Sequence, residues 1–129
     1  MSVIGIIGSV VVALAALLHV YIFVLESVRW MQPNTWRIFN VRDREQAEIL
    51  RPMAYNQGFY NLFLGVGAVF GLILYWSGSE VAGLTLMLFT TACMVLAAAV
   101  LTTTGRGYVR PALVQGTLPL IGFVLFLFA

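Results

Sequence analysis

The chain has 129 residues, 61% of them apolar and only 9% charged, with a mean hydropathy of +0.98. A soluble domain carries about 25% charged residues to cover its surface, so lipid is the outer solvent this composition demands, and disorder, a disulfide scaffold and a nucleic-acid module are excluded. The net charge of +2 comes from seven Arg, no Lys and five acidic residues. These Arg lie between apolar stretches, so they read as topological markers rather than as a nucleic-acid patch.

A helix needs about 20 apolar residues to cross about 30 Å of hydrocarbon. Four stretches qualify, at about 2–26, 54–77, 80–104 and 110–129. The first contains His19 before it reaches Glu26. It lacks a basic leader and exceeds the 7–15 apolar residues usual for a signal peptide, so it is read as retained. The connection at about 27–53 is the one sizeable piece outside the apolar stretches. In it, Pro33-Asn34-Thr35 is expected to break the first helix or to end its cytoplasmic extension. Asp43-Arg-Glu-Gln46 is expected to open either a short interfacial helix, with Ala47, Leu50 and Met53 toward the membrane, or a solvated helical connector. Pro52 suits the first turn of the second span. The third stretch contains Cys93, a lone cysteine that reads as a small buried side chain. The fourth ends at residue 129.

Small residues recur on single sides of the helices: Gly5, Gly8, Ser9, Ala13 and Ala16 in the first, Gly65, Gly67, Ala68 and Gly71 in the second, Ala92 and Ala97 to Ala99 in the third. Helices in lipid associate by close backbone approach, so this pattern predicts a tight four-helix bundle. The fold class is therefore all-α, one transmembrane domain. A faint internal echo accompanies it, Arg51-Pro52 before Asn56-Gln57-Gly58 against Arg110-Pro111 before Gln115-Gly116. Two parallel helical hairpins would produce such an echo.

Ionisable and amide side chains inside spans ask for a reason. His19 and Glu26 are seven residues apart and share a helical face about 10 Å apart along the axis, with Trp30 continuing it. Gln57, Tyr60 and Asn61 form a stripe at the start of the second span, beside Asn56. Gln115 opens the fourth, and Thr102, Thr103 and Thr104 close the third. All lie in the half of the bundle nearer the Arg-bearing loops, which predicts a one-sided polar pocket: Asn56, Gln57, Tyr60, Asn61 and Gln115 are expected to point inward toward the first helix, with at least one hydrogen bond from this set to His19 or Glu26. Each residue also has a structural reading. Amides and hydroxyls serve as ordinary interhelical glue, Glu26 is able to pair with Arg29 or Arg110, and His19 with a backbone carbonyl or Asn61. With one His, no Cys pair and no phosphate or dinucleotide fingerprint, no metal or cofactor site is legible.

His19-Val-Tyr-Ile-Phe-Val-Leu-Glu26 with Trp30, then Asn56-Gln-Gly-Phe-Tyr-Asn61-Leu-Phe-Leu, then Val114-Gln-Gly116 resemble the domain-of-unknown-function 1304 family of small membrane proteins. The resemblance covers essentially the whole chain, and Asn-Gln-Gly-x-Tyr-Asn is its most specific motif. It implies a four-helix membrane protein and supports the same site residues, without supplying a reaction. One departure is that Thr117 and Leu118 precede Pro119, where the family places proline sooner.

Three functions compete. In the first, the pocket binds or transforms an apolar or lipid-like small molecule, with His19 and Glu26 as catalytic groups and Trp30, Asn56, Gln57, Tyr60, Asn61 and Gln115 as ligand-binding groups. In the second, the protein is a small proton-coupled transporter. In the third it is an accessory or structural membrane protein whose polar cluster is only glue. Membrane lipid is the implied partner, nucleic acid is not, and the oligomeric state is not legible. The Arg asymmetry, with Arg29, Arg37, Arg42, Arg44 and Arg51 between the first two stretches and Arg106 and Arg110 between the last two against none in Ser77-Gly78-Ser79-Glu80, predicts a multi-pass protein of the cell inner (plasma) membrane with cytoplasmic Arg loops and both termini outside. Reporter fusions at Gly78 and after residue 129 are expected to read as non-cytoplasmic. A cytoplasmic signal at either position overturns this topology.

Overall fold

The computed structural model describes residues 2–129. It is all-helical, 86% helix with no strands among the described residues. Helix α1 spans Val3–Phe23 and continues into a π-helical turn, Val24–Val28. A short helix α2 spans Pro33–Ile38, and α3 runs without interruption over Arg44–Trp76. Helix α4 spans Glu80–Thr102, and a 3-10 turn at Arg106–Tyr108 leads into α5, Val109–Leu127. The four long helices are each long and apolar enough to cross a membrane. They form an up-down bundle in which α1 lies between α3 and α5, and α4 closes the ring opposite α1.

Small side chains set the helix spacing. A Cβ on Gly83 of α4 would collide with the backbone of Tyr75 and Gly71 on α3, and one on Gly71 would lie 3.0 Å from Gly83 O. Gly65 meets Ala16 O of α1, and Gly122 of α5 meets Val12 of α1. The interior between these crossings is filled by Val12, Ala15, Ala16, Ala68, Met87, Met94 and Phe126. The threonines do not add a polar core. Thr90 and Thr91 are buried, yet each hydroxyl donates to a carbonyl three or four residues back on its own helix. Thr102, Thr103, Thr104 and Thr117 do the same at exposed positions. This back-bonding hides a hydroxyl from an apolar surrounding.

The segment between α1 and α3 differs from its sequence reading in two respects. Pro33 begins α2 rather than breaking a helix, because the first helical position needs no N–H. Asp43 is the N-cap of the long α3, not of a separate interfacial helix: its carboxylate accepts from Gln46 N at 2.8 Å, and Gln46 Oε1 accepts from Arg42 N at 2.9 Å. Pro52 therefore lies inside α3, not in its first turn. Nor does the stub face uniformly toward the membrane. Ala47 is fully buried under Trp30, Trp36 and Val41, while Met53 is exposed. Helix α2 ends on Asn40 in the left-handed region (φ 61°), with Asn40 N donating to Arg37 O and Val41 N to Trp36 O. That pairing, with Val41 packed on Trp36, is a Schellman cap. The Asn40 amide also donates to Gly107 O at 3.0 Å, so the two Arg-bearing connections meet at the same end of the bundle.

The crossing of α3 with α4 is the least forgiving one. Gly83→Ala is expected to cost about 1–3 kcal/mol, the usual penalty for overpacking, because its new atom meets backbone. Gly67→Ala meets only the Thr90 methyl, at 2.9 Å, and should be milder. Thermal denaturation of the two variants in detergent checks the order.

Candidate functional site

Glu26 is carried by the π-turn at the end of α1, one of the few non-α stretches in the long helices. A π-turn winds more slowly than an α-turn, and such turns recur at functional sites. Glu26 faces α3 from this turn. There its carboxylate accepts a 2.7 Å hydrogen bond from Asn61 Nδ2, which also donates to Gln57 O at 3.2 Å. Glu26 is 4% exposed. It pairs with neither Arg29 nor Arg110, since among the described residues the single ion pair joins Arg44 and Glu48 on the surface of α3.

Gly58 makes this approach possible. A Cβ there would collide with Ser27 Oγ and come within 3.1 Å of Glu26 Cβ. With glycine in place, Ser27 Oγ donates to Tyr55 O at 2.7 Å and ties the π-turn to α3. A recess of about 120 Å³ opens beside this junction, lined by Glu26, Ser27, Val28, Trp30, Met31, Arg51 and Tyr55. It thus holds a buried carboxylate and a guanidinium that are not ion-paired to each other. A ladder of aromatic side chains, Tyr55, Phe59 and Phe63, leads away from the recess along α3, with Phe23 of α1 edge-on to Phe59.

The residues expected in a pocket divide into three groups. Glu26 and Asn61 meet through the hydrogen bond expected between α1 and the amide stripe. Trp30 lines the recess too, but not as a continuation of the α1 face: the helix has ended, and its indole turns to donate to Ala47 O at 2.9 Å. His19 is buried, with Nδ1 donating to Ala15 O at 2.9 Å. This leaves Nε2 as its remaining polar atom, and the ring does not line the recess. Asn56, Gln57 and Tyr60 are exposed on α3, contrary to the expectation that they point inward, and Gln115 is half-buried on α5. The inward face is set by Ala54, Gly58 and Gly65, so the amides that neighbour those positions point outward.

Ser27 and Tyr55 carry no signal in the sequence, and Arg51 stands out only beside Pro52 in the internal echo, not as a site residue. Arg51 reads as one topological arginine among seven, and Ser27 contributes only once the π-turn has aimed it. The one available signal was Gly58 inside the amide motif, since a glycine in a span marks a close neighbour.

If the Asn61 amide is what satisfies the buried carboxylate, its loss should matter only while the charge is present. Asn61→Ala alone is expected to cost about 1–3 kcal/mol, the range for stranding a buried acceptor. In the Glu26→Gln background the same change should cost measurably less. A double-mutant cycle on thermal stability measures this coupling.

A family profile described as "Protein of unknown function (DUF1304)" matches residues 13–127, which include every side chain named in this site. No curated protein and no solved structure matches the chain.

Proposed function

The chain belongs to the DUF1304 family, and from that premise we propose that it is a multi-pass protein of the plasma membrane that binds a lipid-like small molecule by its polar head. The observation that carries this reading is the recess in which Glu26 and Arg51 stand unpaired beside the π-turn. A buried carboxylate without a counter-charge is costly as glue. A head group that donates to Glu26 and accepts from Arg51, such as a hydroxyl or an amide, answers both.

Depth supports the same class of ligand. Counting from Trp76 at the far end of α3, a rise of 1.5 Å per residue puts Asn61 roughly 22 Å along the axis and Arg51 roughly 38 Å. Set against about 30 Å of hydrocarbon, Glu26 and Asn61 lie just inside the apolar layer and Arg51 among the headgroups. The recess is too small for a whole lipid. Its occupant would place a head there and lay its apolar body along Tyr55, Phe59 and Phe63, of which Tyr55 and Phe63 are exposed. In this reading the seven Arg face the cytoplasm and the termini lie outside. His19 is given no proton-transfer role, because it is turned to Ala15 rather than to the recess.

The test is mass spectrometry of solvent extracts from protein purified out of native membranes. Wild type is expected to retain a specific lipid-like compound above the background of bulk phospholipid. Glu26→Gln and Arg51→Gln should each lose it while keeping near-native thermal stability. Identical extracts from all three proteins overturn the reading.

A further inference from the structure

We infer that the outer face of the α4–α5 pair is a second, separate binding site, for one anionic phospholipid. A groove of about 200 Å³ runs between these helices, on the side of the bundle away from α1. Its floor is Ala98 and Ala112, both buried, and Gly116, where a Cβ would lie 2.8 Å from Ala98 Cβ. Its walls are apolar or carry hydroxyls, and the Thr102 and Thr117 hydroxyls are both turned back to their own helices. The channel therefore offers a fatty chain an apolar surface with no open hydrogen-bond donor.

Its length and its one charged end decide the occupant. On α5 the lining runs from Val109 to Leu120, a rise of roughly 16 Å. That matches the depth of a single leaflet, about half of the 30 Å core. The groove ends at Thr102 and Val109, at the connection that joins α4 to α5; Arg106 is carried by that connection and Arg110 by the first turn of α5. Both are exposed, and neither has a carboxylate within ion-pair distance. The turn that carries Arg106 is held by the Asn40 amide on Gly107 O, which fixes its backbone at this end of the α4–α5 pair. Basic side chains at the interfacial end of an interhelical groove are the arrangement that captures anionic headgroups. A second copy of the chain would meet the two arginines with two of its own.

The experiment is native mass spectrometry of delipidated full-length protein in detergent, titrated with phosphatidylglycerol or phosphatidylcholine. Each interfacial arginine contributes about a fivefold preference for an anionic headgroup, so the pair should give roughly thirtyfold in favour of phosphatidylglycerol. Arg106→Gln with Arg110→Gln should abolish the preference. Ala99→Phe, which fills the groove from an exposed position, should reduce retention of both lipids while sparing the Glu26 recess and the compound it holds. If Ala99→Phe does not fold, Thr117→Phe takes its place. Equal retention of the two lipids by wild type overturns the proposal, as does retention indifferent to the groove-filling variant. A lipid-free wild type that is dimeric, and that Ala99→Phe converts to monomer, assigns the groove to a second copy instead and also overturns it.

Discussion

In hydrocarbon an apolar side chain gains nothing by leaving lipid for protein, so helix pairing depends on how closely two backbones approach. Every layer of this structure follows from that constraint. Gly71 against Gly83, Gly65 against Ala16 and Gly122 against Val12 set the spacing of the ring, and the larger side chains fill what remains. The same constraint explains why polar atoms are so rarely shared between helices. Most hydroxyls are satisfied within their own helix. Among the described residues, side-chain hydrogen bonds between the long helices fall toward the two ends of the bundle: Trp76 Nε1 donates to Ser9 Oγ at one end, and Ser27 and Asn61 join α1 to α3 at the other.

The Glu26 junction is an extension of the packing rule rather than an exception to it. Gly58 removes the side chain that would keep α1 and α3 apart, as Gly65 does two turns deeper, and the space released is taken by Ser27 and Glu26. What sets this level apart is the π-turn. The carboxylate that reaches Asn61 is carried by this turn rather than by regular α-helix. The turn's cost is accepted at the one level of α1 where the helix leaves the apolar stretch.

The gross architecture was legible because its causes are compositional. Four long apolar runs, the side on which the glycines fall and the clustering of arginine all read directly from one chain. The hydrogen bond between Glu26 and the amide motif was legible too, since both partners are expensive in lipid. Side-chain direction is less legible, because helical phase does not persist along the chain. The π-turn and the helix end removed Trp30 from the His19–Glu26 face. The stripe assigned to Gln57, Tyr60 and Asn61 was phased by polarity, whereas α3 is phased by its small residues, so Asn61 alone turns toward Glu26. Proline was equally ambiguous: Pro33 starts a helix and Pro52 sits within one, and only tertiary packing separates the two outcomes.

Pro52 has a mechanical consequence. It supplies no N–H to the carbonyl four residues earlier, so the hydrogen-bond ladder of α3 lacks a rung between the capped stub and the bundle. Arg51 stands just before that weak joint and Tyr55 just beyond it, and both are walls of the same recess. The missing rung makes this the level of α3 at which bending breaks the fewest backbone hydrogen bonds, and it falls beside the recess rather than within the glycine-packed bundle.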